Sequence, residues 1–168
     1  MKKAVTIVAA LILFFAISPV CKAEPDGGGG LDRCPVCGKL VYKEPEIAAF
    51  IYYEKNGKIR YLAFDGVADM MKFYFEPNRW GDFGNIKMHI LKMVVRGHST
   101  KKPLWAKRAW YVYLVETDTE GSAKARLVPF KSRESARKFM RESGAEALLG
   151  FKEITKEILY PEKKKERE

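Results

Sequence analysis

The stretch AFIYYEKNGKIRYLAFDGVADMMKFYFE, residues 49–76, carries three structural signals in a row. A β-branched and aromatic run meets Asn56-Gly57, a second alternating run follows, and the last part sets Val67, Met70, Met71 and Tyr74 at helical spacing. Asn-Gly readily supplies the positive φ angles of a two-residue hairpin turn, so Ile47 to Glu54 and Lys58 to Phe64 are expected to pair as antiparallel strands. Asp65 is well placed to cap the helix that follows, in which Met70 and Met71 read as packing residues in an apolar stripe. A third strand, Lys87 to Val95, closes the unit.

The second half repeats this order in different letters. AWYVYLVE (109–116) is strand-like, Asp118 to Ser122 form a polar turn, ARLVPF (125–130) is a short strand, and Ser132 is expected to cap a helix through SRESARKFMRES (132–143). Leu148 to Ile154 reads as the closing strand. Phe64, Lys72 and Phe73 correspond to Phe130, Lys138 and Phe139 at one constant offset, and Ala49 matches Ala109 with a longer hairpin loop between. The expected fold is therefore α+β, with two β-β-α-β modules at residues 31–95 and 96–155. Neither module can bury a helix and a sheet face well by itself, so packing of one against the other supplies the core.

The ends read differently. Lys2 and Lys3, an apolar run from Ala4 to Ile17, then Ser18 and Pro19 have the layout of a secretory signal over residues 1–23. The run is shorter than the roughly 20 residues of a membrane-spanning helix. Cleavage after Ala23 is favoured slightly over lipidation of Cys21, because Ser18-Pro19-Val20 lacks the usual approach to a lipid-modified cysteine. Residues 24–30, with Gly27 to Gly30, form a flexible linker. Residues 156–168, ending PEKKKERE, read as a charged tail.

Removal of the signal takes away Lys2, Lys3 and Lys22 and lowers the formal net charge from +10 to +7. An exported basic domain has little occasion to meet nucleic acid. Ordinary solubility accounts for the charge, with attraction to an anionic membrane surface or an acidic partner as the functional alternatives.

Export also isolates the thiols. With Cys21 outside the folded domain, LDRCPVCGKLVYKEPE (31–46) holds the two that remain, Cys34 and Cys37. Such a pair can hold a soft metal, form a reversible disulfide, or make half of a zinc site. Cu(I) accepts two sulfurs on a short loop at low coordination number, which suits carriage more than catalysis. Gly38 would let that loop turn.

The strings CPVCGK, FDGVADMMKFY, WAKRAWYVY, VPFKSRESARKFM and GFKEIT, in that order from Cys34 to about Thr155, together resemble the NosL family of accessory proteins associated with nitrous oxide reductase. The resemblance implies an exported, often lipid-anchored protein of two β-β-α-β modules that binds Cu(I) and hands it to the copper cluster of the reductase. Two departures stand out. The family's methionine after Cys-Gly, which looks like a copper ligand, is Lys39 here, and its Gly-Pro-Met-Gly turn is replaced by Gly121-Ser122-Ala123-Lys124. Lys39 beside the thiols is expected to lower their pKa and also to repel a cation.

IKMHILKMVVRGH (86–98) offers replacement ligands. Met88 and His89 are the candidates, on the expectation that both lie on the third strand, where His89 would share a face with Leu91 and Met93 and Met88 would lie on the other. The plainer reading makes them packing or surface residues. Two rival functions remain: a zinc knuckle completed by His89 and His98 as Cys₂His₂, and a periplasmic thiol-disulfide protein. No pattern for hydrolytic, nucleotide or zinc-protease chemistry is present, and the expectation is a protein that is not an enzyme.

Overall fold

The computed structural model describes residues 32–117 and 122–161. The expected signal, the glycine linker and residues 162–168 lie outside them, as does most of the polar turn from Asp118 to Ser122. Strands β1 (Ala49–Lys55) and β2 (Lys58–Phe64) pair antiparallel with Lys55 opposite Lys58. Asn56 and Gly57 take φ of 56° and 70° between them, the turn that their identities predict.

Helix α1 (Val67–Phe75) follows, but its N-cap is Gly66 and no side chain caps it. Asp65 is therefore not the cap; its carboxylate turns instead toward the loop of Cys34 and Cys37. The segment expected to begin the third strand first makes one helical turn, α2 (Ile86–His89), and only then becomes β3 (Ile90–Arg96). A register shift against β1 at Tyr52 and Tyr53 marks that entry. Met88 and His89 thus lie on a turn before the strand, and the shared strand face proposed for His89 is absent.

Strand β4 (Pro103–Trp105) pairs with β3 and completes a sheet of order β2-β1-β3-β4. The boundary at residue 95 is corrected accordingly, since the first module keeps a strand that lies beyond it. The second sheet has order β6-β5-β7, from β5 (Trp110–Thr117), β6 (Ala123–Phe130) and β7 (Ala147–Gly150). The closing strand ends at Gly150, not Ile154, because Phe151–Glu153 turn as a 3-10 helix with the Glu153 carboxylate accepting from the Gly150 N–H at 2.5 Å. Helix α3 (Arg133–Ser143) starts at Ser132, whose hydroxyl accepts from the Ser135 N–H, and ends on Gly144 in the left-handed region.

The two helices differ in what covers them, as their sequences require. VADMMKFYF is apolar almost all round, and α1 packs against both β1-β2 and β6, so it lies between the modules. RESARKFMRES has one apolar stripe, Ala136, Phe139 and Met140, and covers the outer face of the second sheet. Strand β5 consequently faces apolar neighbours on both sides: Tyr111 and Tyr113 join the main core while Val112 joins the cluster under α3. Double-sided burial explains the nearly continuous apolar run WYVYLV. Met70 and Met71 are fully buried, as their place in the stripe predicts.

The tail begins later than residue 156. Glu157–Leu159 form a 3-10 turn, Leu159 is buried, and Ile158 and Tyr160 pack on the main core. Lys156 Nζ reaches Glu76 Oε1 at 2.7 Å and the Tyr160 hydroxyl donates to Glu76 Oε2 at 3.2 Å. These bonds fasten the chain end to the loop after α1.

Candidate metal centre

The thiol loop is a small closed unit. An isolated bridge joins Arg33 and Leu40, the Cys34 N–H donates to Lys39 O at 2.9 Å, and the Gly38 N–H donates to Cys34 O at 2.8 Å. Gly38 sits at φ 74°, the left-handed conformation that an L side chain resists. Asp32 anchors the entry of the loop by accepting from the Tyr61 hydroxyl at 2.8 Å. The pair therefore occupies a turn held against β2, facing the entry into α1, where the Asp65 N–H is directed at Cys34.

Opposite this loop, the connection from β2 into α1 presents Asp65 and, one helical turn on, Asp69. Among the described residues, Cys34, Cys37, Asp65 and Asp69 each bring one ligand-type atom to within 4.8 Å of the others. Cys34 is 1% exposed and Cys37 is open to solvent, so one thiol is seated in the core and the other faces out. Cys34 Sγ lies 3.6 Å from Asp69 Oδ2 as a thiol donor to the carboxylate. Lys72 Nζ donates to the other oxygen, Oδ1, at 3.1 Å, and Lys39 Nζ lies 3.5 Å from Asp65 Oδ2.

The electrostatics follow from burial. Desolvation raises the pKa of Cys34, against the pull of the backbone N–H groups of Asp65, Cys37 and Val36, and the Asp69 charge raises it further. Desolvation of its sulfur also raises Cys37, although the residue as a whole is exposed, and Asp69 and Cys34 add to the shift. The expected lowering by Lys39 is thus corrected. Its backbone N–H favours the Cys37 thiolate, but its ammonium is drawn to Asp65 and cannot offset burial. Asp69 itself is partly buried, which would raise its pKa, yet the charge of Lys72 and the hydrogen bonds its carboxylate accepts from Lys72 and Cys37 hold it below the usual carboxylate range.

Cys37 opens onto a cavity of about 510 Å³ between the modules, lined also by Asp65, Asp69, His98, Arg126 and Pro129. His98 lines this cavity but lies outside the group of four; its ring packs in tilted contact with Phe139 at 4.8 Å and Phe130 at 5.4 Å between centroids. Met88 is 77% exposed, and His89 lines a separate hollow with Tyr53, Glu54 and Asp82. Among the described residues, neither His89 nor His98 joins the group formed by the two thiols.

The two aspartates escaped the reading of the sequence because Asp65 had a ready explanation as a helix cap. A signal was available. The constant offset between modules sets Lys131 and Ser135 opposite Asp65 and Asp69, so the acidic pair four residues apart belongs to the first module alone.

The arrangement offers two soft sulfurs and two hard oxygens to one point. Comparison with solved structures finds the same fold in a crystal structure described as the copper chaperone NosL from Shewanella denitrificans, at 21% identity and a TM-score of 0.53, covering 79% of this chain and 98% of that one. No curated protein sequence matches the chain. The NosL family model matches residues 30–159, and the chain belongs to the NosL family.

Proposed function

We propose that the chain is an exported accessory protein that holds Cu(I) on the thiolates of Cys34 and Cys37 and passes it to a partner metalloprotein, in its family context nitrous oxide reductase or an assembly factor of that enzyme. The observation that carries this reading is the unequal depth of the two sulfurs at one cavity. A buried thiolate keeps the ion while an exposed one gives way to an incoming ligand, which is what transfer without release requires. The related solved structure, described as a copper chaperone, agrees in kind. Residues 1–23 supply export, and Cys21, if lipidated, tethers the domain to a membrane.

A thiol-disulfide enzyme has less support. Reactive pairs of that type sit on the first turn of a helix with the leading cysteine open to attack, whereas here both cysteines lie on a turn before β1 and the leading one, Cys34, is buried.

Anaerobic Cu(I) titration of the reduced protein against a competing chelator tests the proposal. The expected result is one Cu(I) per chain, with affinity lost on the order of 100-fold or more in the Cys34→Ser, Cys37→Ser double variant. Equal Cu(I) affinity in that variant overturns it.

A further inference from the structure

The family's copper chemistry leaves two groups at this site unused. Cu(I) prefers sulfur and low coordination, so it has no call on carboxylate oxygen. Yet Asp65 and Asp69 stand within 4.8 Å of both sulfurs, from a chain segment some thirty residues on, where an acidic pair makes it costly to ionise two thiols for any cation. Resting on the reading of Cys34 and Cys37 as metal ligands, we propose that Asp65 and Asp69 complete a four-donor site for a borderline divalent cation of the Zn(II) type. The chain then takes two cargoes on the same thiolates, and only the divalent one uses the carboxylates.

Geometry supports this. A tetrahedral ion with bonds of about 2.3 Å to sulfur and about 2.0 Å to oxygen has ligand-to-ligand edges of about 3.3–3.8 Å. Cys34 Sγ and Asp69 Oδ2, 3.6 Å apart, already form such an edge. The other separations, all within 4.8 Å, need to close by about 1.5 Å at most. Thiolate with carboxylate is a donor set that zinc accepts, and the missing thioether of Lys39 removes a ligand that would have favoured Cu(I).

Charge points the same way. Two thiolates and two carboxylates carry four negative charges, and Lys39 and Lys72, paired to Asp65 and Asp69, offset two of them. A divalent ion neutralises the remainder, whereas Cu(I) leaves one negative charge behind. The lysines also fix which oxygens are engaged: Lys72 holds Asp69 Oδ1 and leaves Oδ2 toward Cys34. Second-sphere partners that orient a ligand in this way are a regular feature of metal sites.

The test is a pair of titrations, Zn(II) and anaerobic Cu(I), each against a competing chelator, on the reduced protein and its Asp65→Asn, Asp69→Asn variant. Asparagine keeps the shape of each side chain, and far-ultraviolet circular dichroism checks the fold. The expected result is Zn(II) affinity lower by 10–100-fold in the variant with no loss of Cu(I) affinity. Co(II) serves as a second readout: the parent should show the intense visible bands of four-coordinate Co(II), and the single variant Asp69→Asn should weaken them. Unchanged Zn(II) affinity, an equal loss for both metals, or a parent without four-coordinate Co(II) bands overturns the inference while leaving the copper proposal standing. Cu(I) binding that survives loss of both cysteines overturns the copper proposal itself.

Discussion

Gly38 has open space where a Cβ would go, with no heavy atom within 4 Å, so sterics with neighbours do not explain the glycine. Its backbone does. At φ 74° an alanine pays the left-handed strain of about 1–2 kcal/mol without any clash. Gly38→Ala is therefore expected to destabilise the protein by about that amount, read as a lower urea midpoint at constant slope. This role was legible in Cys-x-x-Cys-Gly alone. Asp65 was not, because a carboxylate before a helix has a common local use and its actual neighbours, Lys39 and the thiol loop, are more than twenty residues away. Met88 and His89 show the opposite error: attractive ligand types in a row, set on an exposed turn that the period-two reading did not foresee.

At the scale of elements, caps distinguish the two helices. Ser132 makes the hydrogen bond to Ser135 that its place predicts, while α1 begins without any side-chain cap and is held by its packing between the modules. Ser132→Ala should cost about 1 kcal/mol in equilibrium urea unfolding. Strand positions in the hairpins were readable because Asn56-Gly57 fixes the turn and β-branched and aromatic residues fill both sides. The closing strands were less so. Each departs from plain alternation at a local device, the α2 turn with its register shift in one module and the Gly150 to Glu153 turn in the other. Such devices depend on the partner strand, which no local window contains.

The whole molecule adds what neither module has alone. Its order of two β-β-α-β units was visible in the spacing of Phe64, Lys72 and Phe73 against Phe130, Lys138 and Phe139. The interlock was not: β4 belongs to the first sheet although it lies past the expected boundary, and the chain end folds back onto α1. Glu76 collects that end, its carboxyl held below the ordinary range by hydrogen bonds from Lys156 and Tyr160. A chain stopped after Thr155 loses buried Leu159 together with these partners and is expected to be less stable than the full chain by about 2–5 kcal/mol. Circular dichroism across a urea series separates the two.

The separation of 35 residues between Cys34 and Asp69 sets an order in time. Between them lies the β1-β2 hairpin, whose closure shortens the path between sulfur and carboxylate. A chain delivered from its N-terminus shows its thiols first and acquires the oxygens only when the first module has folded. Nascent chain and finished protein therefore present different chemistry to the same ion, and maturation of the site is itself a record that the first module has folded.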